Sequence, residues 1–347
     1  MGEQKNVLYL SNIEVPYRVR FFNALAEHCN LTVLYESRGT QTRNAQWAKS
    51  EKKNYRTVYW GTDLKKVFRQ RYDAILIGCY QTPLQILSNL LLRLCKIPFI
   101  INLDGEPFLE GNSWKAKCKR FLLSGGTAYL VAGEKSANSL KAVAGKAPVV
   151  PYYFSSLSKE EQTAHRMAVH SGKDTVLVVG QYFPYKGMDV ALEAARMDRA
   201  HQYHFVGMGQ RTERFLKEQR LPSNVEVIPF LSKTELEQAY RDCALLVLPS
   251  RRECWGLVIP EAASFGTPIV STWGSGAAVE FLSDDYPQYL AAPGDAQDLY
   301  KCITRFFASA ETEQYRTYLL EKSECYNIER SVRAHVELLE GIGTWSL

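Results

Sequence analysis

Short apolar runs alternate with helical stretches along most of the chain. Val7–Leu10 is apolar at consecutive positions and Ser11–Asn12 is polar. Pro16-Tyr17-Arg18 then opens a stretch whose Val19, Phe22, Leu25 and Ala26 recur at helical spacing. Further apolar runs at Leu31–Tyr35, Val58–Trp60, Asp73–Gly78, Phe99–Leu103, Tyr129–Ala132 and Pro148–Val150 read as strands. Between them lie a polar, basic loop at Ser37–Tyr55 and helices at Pro83–Leu94 (Leu and Ile around most of its circumference), Lys115–Leu123 and from Glu134. A linker at Pro151–Lys173, expected to hold a polar helix, separates this series from a second one. The second has strands at Thr175–Val179, Tyr203–Val206, Val225–Ile228, Leu245–Leu248 and Ile269–Ser271, and from Ala296 the chain reads as helical to about Gly341. Regular strand–helix alternation predicts parallel sheets, hence an α/β protein of two doubly wound domains. The first βα turn lacks the glycine fingerprint of dinucleotide binding.

Composition narrows the class. At 347 residues, 46% hydrophobic and 23% charged, the chain is that of a globular protein too long for one ordinary core. Its most apolar region, Ala74–Ile101, is broken by Gln81, Pro83, Gln85, Arg93, Lys96 and Pro98, which argues against a membrane span. Met1–Asn6 is polar and Val7–Leu10 too short for a signal-peptide core, so no leader is expected. Eight cysteines form no C-x-x-C pair and imply reduced thiols in a cytoplasmic protein. Six histidines fall at no ligand spacing, and no catalytic metal is expected.

Charge is unevenly placed. Residues 1–155 carry 22 Lys and Arg against 11 Asp and Glu, whereas the remainder carries 20 against 26. A basic first half suggests an anionic partner or surface. The Lys115–Leu123 helix, with Lys115, Lys117, Lys119 and Arg120 beside Phe121, Leu122 and Leu123, reads either as a face resting on anionic lipid head groups or as an ordinary surface helix. The first of these readings, joined by Lys49–Lys53, predicts salt-sensitive peripheral contact without insertion.

Candidate chemistry concentrates in Pro249–Leu282. A buried strand breaks at Pro249-Ser250 into a loop bearing Glu253 and Gly256, and Pro260 and Glu261 begin a helical pattern. The strand Pro268–Ser271 follows, then the Gly274–Gly276 turn and Glu280. This order sets backbone amides beside carboxylates at the carboxyl edge of a parallel sheet, where open α/β sheets bind ligands. Amides there hold a diphosphate and carboxylates accept hydrogen bonds from sugar hydroxyls, so the pattern suits a nucleotide-sugar. In the other strand–helix turn, Lys186 at a helix start is misplaced against the positive end of the helix dipole unless an anion lies between them.

Glu253 and Glu261, seven residues apart and followed by Ala262, Gly266, Thr267 and Pro268, resemble the E-x7-E signature of retaining glycosyltransferases of family 4 with the GT-B fold. The resemblance implies two Rossmann-like domains facing across a cleft: an acceptor domain of residues 1–155, joined by the C-terminal helix at about 328–347, and a donor domain of residues 156–327. It implies that Glu261 holds the ribose hydroxyls, while Glu253 and the amides of Cys254, Trp255, Gly256 and Leu257 hold the sugar. Lys186 would grip the diphosphate in an element resembling G-R-x4-K-G, with Gln181 in the usual arginine position, so that Arg251, Arg252 or Arg18 are candidates to share the charge. Gly207 would lie near the donor, and Phe230 and Leu231 would border the base, with Pro229 where glycine is usual. Asp104 stands about where related enzymes carry a histidine near the sugar, with Glu106 as competitor; Asn12, Tyr17 and Arg18 are acceptor or phosphate candidates on the first βα turn.

The implied activity is transfer of a sugar, with retention, from a nucleotide-diphosphate sugar (UDP before GDP) to a glycan or lipid-linked glycan in polysaccharide or envelope assembly. It needs no bound cofactor, no metal and no nucleic acid, and it places the protein in the cytoplasm or peripherally on the cytosolic face of the membrane. Alternatives are a nucleotide-sugar epimerase, a phosphorylase with a lysine-borne cofactor, and a binding paralogue without turnover, the last suggested by Gln181.

Overall fold

The computed structural model describes residues 4–37, 52–61, 67, 70–78, 81–168, 170–208 and 218–341. Most of the Ser37–Tyr55 loop, residues 49–51 of the basic cluster and Gly209 lie outside the described residues. The chain divides into two compact units, one running to Ser156 and resuming at Ile328, the other Leu157–Asn327.

The first unit is built on a parallel sheet of seven strands: β1 (Asn6–Ile13), β2 (Asn30–Ser37), β3 (Arg56–Tyr59), β4 (Ala74–Ile77), β5 (Ile100–Leu103), β6 (Ala128–Ala132) and β7 (Val149–Tyr152). Their spatial order is β3-β2-β1-β4-β5-β6-β7, so the winding reverses between β1 and β4. Strands β4, β5 and β6 are buried throughout, which is why they read as unbroken apolar runs: helices cover both faces of a parallel sheet. Helix α1 (Pro16–Leu25) starts on a proline, whose missing N–H would have no partner in a first turn. The other helices before the crossover are α2 (Pro83–Leu94), α3 (Trp114–Leu123) and α4 (Glu134–Ala144).

Helix α2, with Leu and Ile around most of its circumference, buries Leu84 beside two amides. Its inward positions include Gln85 and Asn89, both fully buried, while Leu87, Leu90, Leu91 and Leu94 face outward. The basic helix α3 is not an open cationic face. Lys119 donates to the Phe108 carbonyl, and Arg120 to the Leu109 and Gly111 carbonyls, so two of its four cations hold the neighbouring loop.

The second unit repeats the plan with β8 (Lys173–Val179), β9 (Gln202–Met208), β10 (Val225–Pro229), β11 (Cys243–Val247), β12 (Ile269–Thr272) and β13 (Leu290–Ala291), in the order β10-β9-β8-β11-β12-β13. All pairs are parallel, and the winding reverses between β8 and β11. The two-residue β13 has no counterpart among the expected strands, because so short a run carries no period. The linker's polar helix is α5 (Lys159–Met167), begun by a reciprocal capping box between Ser158 and Glu161. Helices α6 (Met188–Met197), α7 (Lys233–Asp242), α8 (Val258–Ala263), α9 (Gly276–Leu282), α10 (Ala296–Phe307) and α11 (Thr312–Ser323) complete the unit.

The terminal helix α12 (Ile328–Gly341) belongs to the first unit, where it packs on α1 and β7. Ser331 donates to the Tyr153 carbonyl, and the wholly buried His335 ring lies edge-on to Phe21 and Tyr152 at 4.8 and 4.9 Å.

Candidate functional site

In the second unit two loops meet at the carboxyl ends of β8 and β11. After β8 the chain passes Gly180 (φ +149°) and half-buried Gln181 into a 3-10 turn, Pro184–Lys186, and then Gly187, which caps α6 in the left-handed region at φ +69°. A Cβ on Gly187 would stand 1.9 Å from the Pro249 carbonyl oxygen, so only glycine lets the two loops approach this closely. The contact is then stitched together: the Arg252 amide donates to the Tyr185 carbonyl at 3.1 Å, and Arg251 makes a two-pronged bond to Asp189, 2.7 Å for each prong. Arg251 also donates to the Pro184 carbonyl. That ion pair holds Asp189 below the usual carboxylate range, chiefly through the hydrogen bonds from Arg251. Arg251 is therefore a brace for the Lys186 turn.

This brace delivers Lys186 to Glu253, and the two side chains form a partly buried ion pair. The anion that faces the helix-start lysine within the protein is thus the first glutamate of the E-x7-E pair. The Glu253 loop is fastened on its other side to the glycine turn after β12. Glu253 donates its amide to Gly274 and accepts from Gly276 through its carbonyl, and Ala277 donates to Trp255. A Cβ at Gly274 would lie 2.4 Å from the Arg251 carbonyl, which accounts for the glycine there.

From Cys254 to Leu257 the main chain turns at Gly256 (φ +105°) and forms the start of α8. Trp255 is buried against Tyr326. Cys254 is exposed. Glu261, half-buried on α8, accepts a hydrogen bond from the hydroxyl of wholly buried Tyr240 at 3.2 Å, which fixes the second glutamate's direction. Glu280 lies inside the unit and accepts from Tyr326. Gly207 (φ +97°) sits in β9 beside Gly180, and Phe230 and Leu231 follow the end of edge strand β10, just before the Ser232 capping box of α7. The switch point of this sheet therefore joins Lys186 and Glu253 directly, with Cys254–Leu257 continuous with them.

The first unit gathers a different group. Asp104, after β5, is ion-paired with Arg18 of α1 and accepts from the Tyr152 hydroxyl at 3.0 Å. Arg18 is buried, donates to the Tyr9 hydroxyl at 3.2 Å and lies over the Phe154 ring at 5.6 Å. Burial opposes its charge, but Asp104 and the surrounding hydroxyls hold it well above the ordinary arginine value. The Arg18 guanidinium is thus a partner of Asp104. Tyr9 donates to the Asn102 side chain at 2.6 Å, and His335 Nε2 lies 2.9 Å from the same group. Burial pushes His335 down to about 4, so the ring is neutral at physiological pH. The linear pattern did not show this network, since Tyr9 and Asn102 read as strand positions, Tyr152 as part of the linker and His335 as part of the C-terminal helical stretch.

Around Asp104 the loop is unusually shaped. Gly105 (φ +125°) and Phe108 (φ +48°) both take the left-handed side, and the Phe108 amide donates to Glu106. Burial raises the Glu106 carboxyl above its ordinary value. Asn12 accepts from the Ile13 amide at the end of β1, and Tyr17 packs edge-on to Phe154. Among the described residues no group of three or more His, Cys, Asp or Glu could hold a metal ion, and no helix is long and apolar enough to cross a membrane.

Residues 160–319, nearly all of the second unit, match the family model for glycosyl transferases group 1. The second unit is therefore similar in sequence to group 1 glycosyltransferase domains. Curated relatives include an uncharacterised glycosyltransferase of Methanocaldococcus jannaschii, 30% identical over 138 residues (39% of this chain, 38% of the relative). The O-antigen chain mannosyltransferase C of Escherichia coli is 27% identical over 184 residues, 51% of this chain and 49% of the relative. The chain thus spans half or less of the length of the curated relatives it matches. Solved structures agree over nearly the whole length: Anabaena HepE in complex with UDP and glucose superposes with a TM-score of 0.71 at 15% identity, covering 97% of this chain and all of that one. The sucrose-phosphate synthase of Thermosynechococcus elongatus gives 0.72 at 16% identity, with coverage of 97% and 99%. The two α/β units accordingly have the GT-B fold.

Proposed function

We propose that this chain transfers a sugar, with retention of configuration, from a UDP-sugar to a glycan or lipid-linked glycan acceptor. The observation that carries the reading is the Lys186–Glu253 pair at the switch point of the second sheet, built by two interlocked loops inside the unit that matches the model for glycosyl transferases group 1. An incoming diphosphate supplies the charge that Lys186 otherwise finds in Glu253, and the carboxylate so released accepts hydrogen bonds from sugar hydroxyls. Glu261, steered by Tyr240, holds the ribose. The acceptor hydroxyl attacks on the face the diphosphate leaves, and a leaving phosphate oxygen helps take its proton. Catalysis on this reading is positioning together with stabilisation of the departing negative charge, and it calls for no metal. Asp104, held by Arg18 and Tyr152, orients the acceptor.

The support for UDP is indirect: the HepE structure holds UDP and glucose. A panel of UDP- and GDP-sugars, scored by thermal shift and slow hydrolysis, tests the donor assignment. One UDP-sugar is expected to raise the melting temperature and to be hydrolysed with its anomeric configuration kept, as read by NMR. Release of an epimerised free sugar, or nucleotide binding with no turnover on any acceptor, would replace the reading with an epimerase or a binding paralogue.

A further inference from the structure

Helix α2 buries Leu84 and packs Leu92 against the core, yet its outward face is apolar as well. Its fully buried positions include two amides, Gln85 and Asn89, while Leu87, Leu90, Leu91 and Leu94 are 41–79% exposed. Those four leucines fall at i, i+3, i+4 and i+7, a single straight stripe. The neighbouring helix α3 shows the same spacing outward: Trp114 is 71% and Phe121 54% exposed, with Lys117 and Cys118 between them. The two helices are joined: Arg93 of α2 lies over the exposed Phe121 ring at 4.1 Å, and the buried Asn89 donates to the Leu122 carbonyl. Scattered exposed leucines need no explanation, but a contiguous stripe with aromatic residues alongside marks an interaction surface.

The charges beside the stripe indicate its partner. Arg93, Lys96, Lys115 and Lys117 flank the apolar positions, and the sequence has no Asp or Glu between Asp73 and Asp104 or between Glu110 and Glu134. A second copy of this chain docking through this same face places cations against cations here. An anionic bilayer surface suits every feature: lysines and arginine at the head groups, Trp114 at the polar–apolar boundary, leucines in the outer acyl region. We propose that the α2–α3 face docks on anionic lipid by inserting the Leu87–Leu94 stripe, with the flanking cations as an electrostatic guide. This deepens the proposed function, resting on it only for the lipid-linked acceptor that such docking brings within reach. It also replaces the expected purely salt-sensitive contact, since Lys119 and Arg120 are occupied within the fold and the leucines supply an attraction that salt does not screen.

The test is flotation with phosphatidylcholine vesicles, with and without phosphatidylglycerol, at low and high salt. The full chain is expected to float with the anionic vesicles, less but still measurably at high salt. Substituting Leu87, Leu90, Leu91 and Leu94 by Gln should lower partitioning at least about tenfold, with the thermal midpoint kept because these side chains face outward. The emission blue shift on vesicle addition should vanish in Trp114→Phe. Absence of flotation, flotation indifferent to the four substitutions, or complete loss at high salt would overturn the proposal. So would a dimer that those substitutions dissolve in the absence of any vesicle binding. UDP-sugar hydrolysis is measured on the same variants without vesicles; it should be unchanged, so failure of the surface and failure of the donor site are told apart.

Discussion

At the level of single residues, Lys186 and Gly187 do different work at adjacent positions. Lys186→Ala removes the cation expected to face the diphosphate, so affinity for UDP and UDP-sugar should drop by about 1.5–3 kcal/mol while uridine affinity changes little. Isothermal calorimetry with the three ligands checks this, and equal losses for all would make the lysine structural. Gly187→Ala acts on the fold. Its φ of +69° and the Pro249 oxygen in the path of a Cβ both resist a side chain, so the variant should lose at least about 2 kcal/mol by denaturant titration. Glu261→Ala should weaken free nucleotide and nucleotide-sugar alike, because ribose is common to both. Unchanged nucleotide affinity in a folded variant would remove Glu261 from the ribose site.

Between elements, the joint that matters is the one between the β8–α6 turn and the β11–α8 loop. Arg251 holds them together through Asp189 and the Pro184 carbonyl. Both side chains are more than a third exposed, so water screens the pair and its share of global stability is small, about 0.5–1 kcal/mol. Its effect on the site should exceed that. Arg251→Ala frees the turn carrying Lys186, and donor affinity should fall several-fold although Arg251 need not touch the donor. A double-mutant cycle with Lys186→Ala, showing losses that do not add, would confirm that the two act through one device.

For the whole molecule, buried histidines predict how stability varies with pH. His335 in the first unit and His165 in the second are each pushed down by burial to about 4, from 6.5 in the unfolded chain. Below pH 6.5 the unfolded chain takes up protons that the folded one refuses. Stability is therefore fully present above that value, declines as pH falls toward 4, and levels off below. Each histidine contributes up to about 3 kcal/mol to the decline. Urea midpoints between pH 7 and 4 measure it, and the slope should flatten in His335→Gln. A stability that held constant across that window would mean the buried rings accept protons in the folded state.

Local pattern alone determined the alternation of strands and helices, the doubly wound class and the stretch that holds the chemistry. Strand periods, prolines at helix starts and glycines at turns are properties of neighbouring residues, and they can be read without a fold. The E-x7-E spacing belongs to the same kind, since one loop and one short helix span it. What only tertiary structure decided is which charges meet. Lys186 and Glu253 are 67 positions apart, Arg251 and Asp189 62, and His335 and Asn102 233, and only the folded arrangement of strands and helices brings each pair together. For this reason the sequence did not show that Arg18 and Arg251, candidates to share a diphosphate's charge, pair with Asp104 and Asp189. Helix α2 shows the same limit in packing. A helix apolar around most of its circumference has no single inward face by pattern, and the packing around Gln85 and Asn89 chose which leucines would be left outside.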